Sequence, residues 1–134
     1  MNQDSTNRTV LLLDDDTNTL LVLHAILERT EARVFECADE PCAVKTCANF
    51  LKSIDLLVAD VVLEYTNGPA VARKVKPLQP FMRLLYISGF SLSELQRRGL
   101  LSTTEMAPGS IEFLQKPFSP EQFLDSVGRL LVVG

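Results

Sequence analysis

The eight residues that begin at Val10 constrain the fold of this chain more than any other stretch. Four apolar residues are followed at once by Asp14, Asp15 and Asp16, and then by Thr17. A short apolar run without alternation is typical of a strand buried on both faces of a parallel sheet. Because aspartates cannot continue such a strand, they mark its carboxyl end, where open α/β sheets bind ligands. Adjacent carboxylates repel one another unless a cation lies between them, and oxygen ligands of this kind suit Mg²⁺.

Length and composition indicate one globular domain. The chain has 134 residues, of which 46% are hydrophobic and 22% charged, an ordinary balance for a folded domain. Its net charge of −4 argues against a broad nucleic-acid-binding surface. No stretch is apolar enough to insert into a membrane and no signal-peptide pattern occurs, which favours a cytoplasmic protein. We expect residues 1–8 to form a flexible tail and residues 9–134 to form the domain.

Three cysteines, Cys37, Cys42 and Cys47, occur at intervals of five residues. An odd number of cysteines without a Cys-x-x-Cys pair argues against a disulfide framework and against a zinc site. We therefore expect all three to be small buried apolar residues.

Hydrophobic periodicity predicts five strands that alternate with five helices. The strands are expected at residues 9–13, 33–38, 54–59, 83–87 and 110–115, and the helices begin close to Thr17, Asp39, Pro69, Ser91 and Ser119. The buried stripes of the second and third helices are expected to include Leu51 and Leu78. Strands that alternate with helices, joined by right-handed crossovers, predict an α/β fold with a doubly wound parallel sheet.

Polar residues follow four of the predicted strands directly. Asp14 and Asp15 follow the first strand, Asp60 the third, Ser88 the fourth and Lys116 the fifth. In a parallel sheet all of them meet at one edge. Three carboxylates and one ammonium sum to about −2, which a divalent cation would balance. A carboxylate between a cation and an ammonium can act as a nucleophile towards a phosphoryl group and form an aspartyl phosphate.

At this point the sequence resembles a known family, the receiver domains of two-component response regulators. The resemblance extends from residue 10 to about residue 131. It includes the acid pair Asp14-Asp15, Gly68 eight residues after Asp60, Ser88-Gly89 and Lys116-Pro117-Phe118. The stretches around Ser88 and Lys116 look most like receivers of hybrid sensor histidine kinases. The resemblance implies a five-stranded parallel sheet with five helices and the flavodoxin-like strand order 2-1-3-4-5.

The resemblance also implies a role for each residue of the cluster. Asp60 would accept a phosphoryl group from a histidine kinase or a histidine phosphotransfer protein, Ser88 would donate a hydrogen bond to it, and Lys116 would pair with it. The Lys116–Pro117 peptide is expected to be cis. The implied ligands of Mg²⁺ are the side chains of Asp14, Asp15 and Asp60 and the main-chain carbonyl of Val62.

A switch surface is implied as well. Ser88 and the aromatic Phe113 would form a switch that repacks residues 91–131, a face through which a homodimer could form. Val62 and Phe90 flank the expected path of an attacking water and offer it no hydrogen bond, so we expect slow autodephosphorylation. A receiver catalyses at most its own phosphorylation and this hydrolysis, and is not a conventional enzyme.

Three alternatives remain beside the phosphoacceptor. A haloacid-dehalogenase-type phosphatase needs Asp-x-Asp-x-Thr or Val, but Asn18 stands at the fifth place. A flavodoxin-like carrier needs a loop that cradles phosphate, which three acids would repel. A receiver-like interaction module that works without phosphorylation needs none of the polar cluster, yet the cluster does not exclude it.

Overall fold

Strands and helices alternate along the whole described chain. The computed structural model describes residues 8–102, 104, 106–107 and 109–131, so the predicted tail, apart from Arg8, lies outside the described residues. The strands are β1 (Thr9–Leu13), β2 (Arg33–Cys37), β3 (Leu56–Asp60), β4 (Arg83–Ser88) and β5 (Ile111–Gln115). The helices are α1 (Thr17–Leu27), α2 (Glu40–Asn49), α3 (Gly68–Val75), α4 (Leu92–Arg97) and α5 (Pro120–Leu131).

The five strands form one sheet in the order β2-β1-β3-β4-β5. All neighbouring strands are parallel, so the predicted fold class and strand order are confirmed. Leu13 is opposite Cys37 on one side and Ala59 on the other. Ser88 is opposite Gln115 at the far side of the sheet. This register brings the carboxyl ends of four strands to one level, and the predicted polar residues follow at that level.

The core lies on both faces of the sheet, and β1 is buried along its entire length. Leu11 and Leu13 pack on the face that α2 and α3 cover, and Val10 and Leu12 pack on the face of α1 and α5. Burial of each such leucine stabilises the fold by about 1.5–3 kcal/mol relative to its exposure. The apolar run without alternation is therefore explained by helices on both sides.

Side-chain caps set the start of each helix close to the polar edge. Asp16, Asp39 and Asn67 cap α1, α2 and α3 by accepting main-chain hydrogen bonds. At the start of α5, the amide of Ser119 donates to Gln122 Oε1 over 2.8 Å and the Gln122 amide donates to Ser119 Oγ over 3.0 Å. This reciprocal pair is the capping box that the run Ser-Pro-Glu-Gln predicts.

The prediction that Leu51 and Leu78 belong to the buried stripes of α2 and α3 is wrong. Leu51 is 99% exposed and Leu78 is 41% exposed. Helix α2 ends before Leu51 because Phe50 adopts an extended backbone, and α3 ends at Val75, before Pro77. The apolar spacing continues past the end of each helix, where it no longer defines a face.

The expectation for the cysteines is partly wrong. Cys37 and Cys47 are buried, but Cys37 forms a disulfide with Cys42 across a Cα–Cα distance of 5.4 Å. The five-residue spacing runs from the end of β2 into the first turn of α2, and the Asp39 cap folds the chain back between them. A rule based on Cys-x-x-Cys spacing does not detect this proximity. Among the residues that the structure describes, no helix is long and apolar enough to cross a membrane.

Candidate functional site

Three of the predicted site residues are in direct contact at the carboxyl edge of the sheet. Lys116 Nζ lies 3.0 Å from Asp60 Oδ2 and 3.6 Å from Asp14 Oδ2. The three side chains come from the ends of β1, β3 and β5; β1 and β3 are neighbours in the sheet, and β4 separates β3 from β5. The long lysine side chain crosses the end of β4 and places one positive charge between two carboxylates.

Asp14 is the buried member of the acid pair, with 3% of its surface exposed. Its Oδ1 accepts a hydrogen bond from the Asp16 amide over 2.9 Å. The pKa of Asp14 is raised from 3.8 to about 6, mainly by burial and also by the charges of Asp60 and Asp15. The hydrogen bond from Asp16 and the charge of Lys116 lower the pKa but do not cancel the effect of burial.

Asp15 is exposed and its carboxylate is directed at a loop. Its Oδ2 accepts a hydrogen bond from the Glu64 amide over 2.8 Å, which joins the turn after β1 to the loop after β3. Asp60 Oδ1 accepts from the Val62 amide over 3.1 Å, so each oxygen of Asp60 has one donor. The main chain of Val62 therefore lies beside Asp60.

The main chain of Lys116 is fixed by a hydrogen bond to the neighbouring strand β4. Its amide donates to the Ser88 carbonyl over 2.8 Å, and the Lys116–Pro117 peptide is cis as predicted. Burial lowers the pKa of Lys116, but the hydrogen bond to Asp60 and the charges of Asp60 and Asp14 outweigh burial and raise the pKa. Lys116 is therefore a permanent cation at this edge.

Ser88 ends β4, where its carbonyl accepts from the Lys116 amide, and Phe113 lies within the neighbouring strand β5. Ser88 is 1% exposed, and its Oγ accepts from the Phe90 amide over 3.1 Å. Phe113 is half-buried on β5, opposite Tyr86, and packs on the face of α2 and α3. Phe90 is 38% exposed, and the Arg98 guanidinium lies 4.3 Å from the centre of its ring.

The donor set fits a hard divalent cation. The side chains supply carboxylate oxygens without sulfur or imidazole, and carboxylate oxygens are the ligands that Mg²⁺ prefers. Within the described ranges, no three acidic, histidine or cysteine side chains are already grouped as a metal site. The ion pairs of Lys116 instead neutralise part of the acidic charge.

The structure explains one residue of the sequence motif, Gly68, and adds one feature that the sequence pattern did not predict. A Cβ on Gly68 would lie 2.6 Å from the carbonyl oxygen of Asp60, so only glycine lets α3 begin against the end of β3. An apolar groove of about 390 Å³ lies next to Lys116, between α1 and the start of α5. Its lining includes Val22, which is 57% exposed. The sequence signal for this groove is the run Leu-Leu-Val-Leu in α1. Four successive apolar residues cannot all face one core, so at least one of them must lie on the surface.

Comparisons with known proteins agree with this geometry. The family model described as the response regulator receiver domain matches residues 10–128. The chain is 26% identical over 127 residues to the sensor kinase CckA of Brucella abortus, which covers 95% of this chain and 13% of CckA. It is 22% identical over 125 residues to the response regulator receiver protein CpdR of Brucella abortus, which covers 93% of this chain and 98% of CpdR.

A solved structure has the same fold. The receiver domain of the hybrid histidine kinase CckA superposes with a TM-score of 0.75 at 22% identity, over 92% of this chain and 99% of that chain. The predicted likeness to receivers of hybrid kinases is confirmed by this structure and by the CckA sequence. The chain spans a small part of CckA and nearly all of CpdR.

Proposed function

The chain belongs to the family of response regulator receiver domains, and we propose that it takes a phosphoryl group onto Asp60 from a histidine kinase or a histidine phosphotransfer protein. The observation that carries this proposal is the contact of Asp14, Asp60 and Lys116 at the carboxyl edge of the sheet. A structural ion pair needs one acid and one base. A second, buried acid beside them raises the energy of the site, so its presence supports a functional role.

Asp60 is the nucleophile in this proposal. One of its carboxylate oxygens attacks the phosphorus of a phosphohistidine, a P–O bond forms and the P–N bond breaks. The electron pair of the broken bond stays on the imidazole nitrogen. Lys116 then pairs with a phosphoryl oxygen in place of the carboxylate oxygen it contacts now. Its charge stabilises the negative charge that develops during the transfer.

The chemistry of the donor set supports Mg²⁺ as the cofactor. The side chains of Asp14, Asp15 and Asp60 and the carbonyl of Val62 would hold the ion. When bound, Mg²⁺ neutralises the acids and the phosphoryl oxygens, so that an anion can approach an anionic site. Asp15 is exposed and its Oδ2 accepts from the Glu64 amide, and the further lone pairs of the carboxylate could hold the ion.

Ser88 and Phe113 are the proposed switch. The Ser88 hydroxyl now accepts from the Phe90 amide. Donation of a hydrogen bond to a phosphoryl oxygen would draw the hydroxyl towards Asp60 and away from this loop. The half-buried Phe113 would then move into the space released, and the surface formed by residues 91–131 would repack. A homodimer through this surface and a cytoplasmic location belong to the same proposal.

The groove beside Lys116 supports a helical partner. It lies directly next to the proposed phosphate site, and Val22, Leu23, Ile26 and Phe118 make its lining mainly apolar. A helix that carries a phosphohistidine could bury apolar side chains here and present its imidazole to Asp60. Groove recognition of this kind is common for amphipathic helices.

Intact mass spectrometry after incubation with Mg²⁺ and a small phosphodonor tests the proposal. We expect one phosphoryl adduct on the native chain and none on Asp60→Asn. Asp55→Asn is the matched control, because Asp55 precedes β3 at the opposite edge of the sheet from Lys116, and asparagine can still accept the hydrogen bond that the Thr9 amide donates there. No adduct on the natively folded chain, from either a small donor or a phosphorylated phosphotransfer protein, would favour the module that works without phosphorylation.

A further inference from the structure

We propose that Cys37 and Cys42 form a reversible thiol–disulfide site that low-molecular-weight disulfides oxidise. We also propose that its redox state alters cation binding at the carboxyl edge of the sheet. The effect on the cation rests on the proposed function, whereas the redox site does not. Cys37 is the last residue of β2 and Cys42 lies in the first turn of α2. The two residues form a disulfide in the structure.

The fold holds the two cysteines together by contacts that do not depend on the S–S bond. Cys37 is paired with Leu13 in the sheet, and the Cys42 amide donates to Asp39 Oδ1 over 2.9 Å. The resulting Cα–Cα distance of 5.4 Å lies in the range that disulfides need. Reduction would therefore leave the two thiols adjacent and ready to form the bond again.

The three cysteines differ in their ability to react. Burial raises the pKa of the Cys47 thiol to about 11, so Cys47 stays protonated and does not take part in exchange. Cys37 is 2% exposed, whereas Cys42 is half-buried. Cys42 is therefore the residue that an external disulfide meets first.

Oxidation proceeds by two exchanges. The Cys42 thiolate attacks one sulfur of a disulfide such as glutathione disulfide, whose S–S bond breaks, and one glutathione leaves as a thiolate that takes up a proton. Cys37 then loses its proton and attacks the Cys42 sulfur, which releases the second glutathione. The two cysteines lose two electrons and two protons, and glutathione disulfide gains both.

The disulfide is connected to the proposed cation site through the main chain. The Asp14 amide donates to the Cys37 carbonyl over 3.1 Å, so the end of β2 positions the start of the acid pair. The first turn of α2 also forms one wall of a cavity of about 590 Å³ next to Asp15. The acidic residues of that cavity are Asp15, Asp39, Glu40 and Glu64.

The bond fixes Asp39 and Glu40 relative to β2, and hence relative to Asp15. Without the bond, the two thiols stay adjacent but the first turn of α2 is held less tightly. Asp39 can then shift away from Asp15 to reduce their repulsion, whereas Glu40 keeps its ion pair with Lys74. The negative potential at Asp15 would then fall. We expect the disulfide form to bind Mg²⁺ about fivefold more tightly than the dithiol form, at the low end of coupling between sites.

A redox titration of the native chain in glutathione buffers tests the site. Samples are quenched in acid, alkylated under denaturing conditions and weighed intact. We expect the number of alkylated thiols to change reversibly between one and three, since Cys47 is the only free cysteine of the described chain when the disulfide is present. Calorimetric titration with Mg²⁺ on both forms then measures the coupling.

Two variants separate the pair from the third cysteine. Cys47→Ala should keep the redox-dependent Mg²⁺ affinity, and Cys42→Ser should lose it while circular dichroism shows the fold unchanged. A pair that stays fully oxidised or fully reduced in every buffer would overturn the proposal. Equal Mg²⁺ affinity of the two forms would overturn the coupling. Neither readout uses a phosphodonor, so a failure of Asp60 to be phosphorylated would be recognised separately.

Discussion

Replacement of Asp14 by asparagine should stabilise the metal-free protein, although it removes a residue of the proposed site. Asp14 is 3% exposed and lies beside Asp60, and its pKa is raised to about 6. Asparagine has nearly the same shape and no charge. Its Oδ1 can still accept the hydrogen bond that the Asp16 amide donates to Asp14. Lys116 loses its partner at 3.6 Å but keeps Asp60 at 3.0 Å.

The magnitude follows from the pKa. A shift from 3.8 to about 6 is roughly two pH units, and each unit corresponds to 1.36 kcal/mol, so the ionised side chain costs about 3 kcal/mol of stability. This pKa already includes the attraction of Lys116, so the figure is a net cost. We expect Asp14→Asn to raise the free energy of unfolding by about 2–3 kcal/mol at pH 8.

The pH dependence has a definite sign. A carboxyl whose folded pKa is raised holds its proton more tightly in the folded state, so the native chain loses stability as the pH rises from about 4 to about 6. Below about pH 4 the side chain is protonated in both states and the advantage of asparagine disappears. Urea denaturation at several pH values, in the presence of a chelator, measures this difference directly.

The controls use the neighbouring aspartate and the cation. Asp16→Asn removes the same charge from an exposed cap and should change the free energy of unfolding by less than about 0.5 kcal/mol. Saturating Mg²⁺ should raise the free energy of unfolding of the native chain more than that of the Asp14→Asn variant. A ligand that binds only the folded state stabilises it, and the variant lacks one of the proposed ligands. If Asp14→Asn lowers stability at pH 8 without metal, or has the same effect at pH 4, the reasoning about its burial is wrong.

Three further predictions concern neighbouring residues. Gly68→Ala should lower the free energy of unfolding by about 1–3 kcal/mol through its clash with the Asp60 carbonyl, whereas Gly128→Ala, which meets no atom within 4 Å, should not lower it in urea denaturation. Val22→Asp should slow phosphoryl transfer from a phosphotransfer protein but not from a small donor, while the same change at the remote Leu51 should affect neither. Loss of the phosphoryl adduct, followed by intact mass, should take minutes or longer, and Phe90→Asn should shorten its lifetime; a lifetime of seconds for the native chain would contradict the expectation of slow hydrolysis.

Much of the fold was predictable because the hydrophobic pattern agrees with the polar residues that mark the ends of strands and the starts of helices. The apolar run before Asp14 predicts a strand covered on both faces, and β1 is buried along its entire length. Ser119 and Gln122 predict a reciprocal cap, and both hydrogen bonds are present. In each case the signal is local, so a few adjacent residues are sufficient to define it.

The site required contacts that local patterns do not contain. Asp14 and Asp15 are adjacent and chemically identical, yet only Asp14 is buried. The difference arises because the Asp14 amide extends the ladder to Cys37, whereas Asp15 turns towards Glu64. The Cys37–Cys42 disulfide depends in the same way on how β2 and α2 meet. Spacing along the chain cannot report such distances.

Lys116 explains how so acidic an edge can fold without a bound cation. Its ammonium contacts both Asp14 and Asp60, and their charges keep its pKa raised against the effect of burial. The lysine therefore neutralises part of the charge that folding brings together. It cannot neutralise all of it, since two carboxylates share one ammonium and Asp14 retains a raised pKa. The remaining negative charge opposes folding and also attracts a divalent cation, so the same burial that lowers the stability of the metal-free protein favours cation binding.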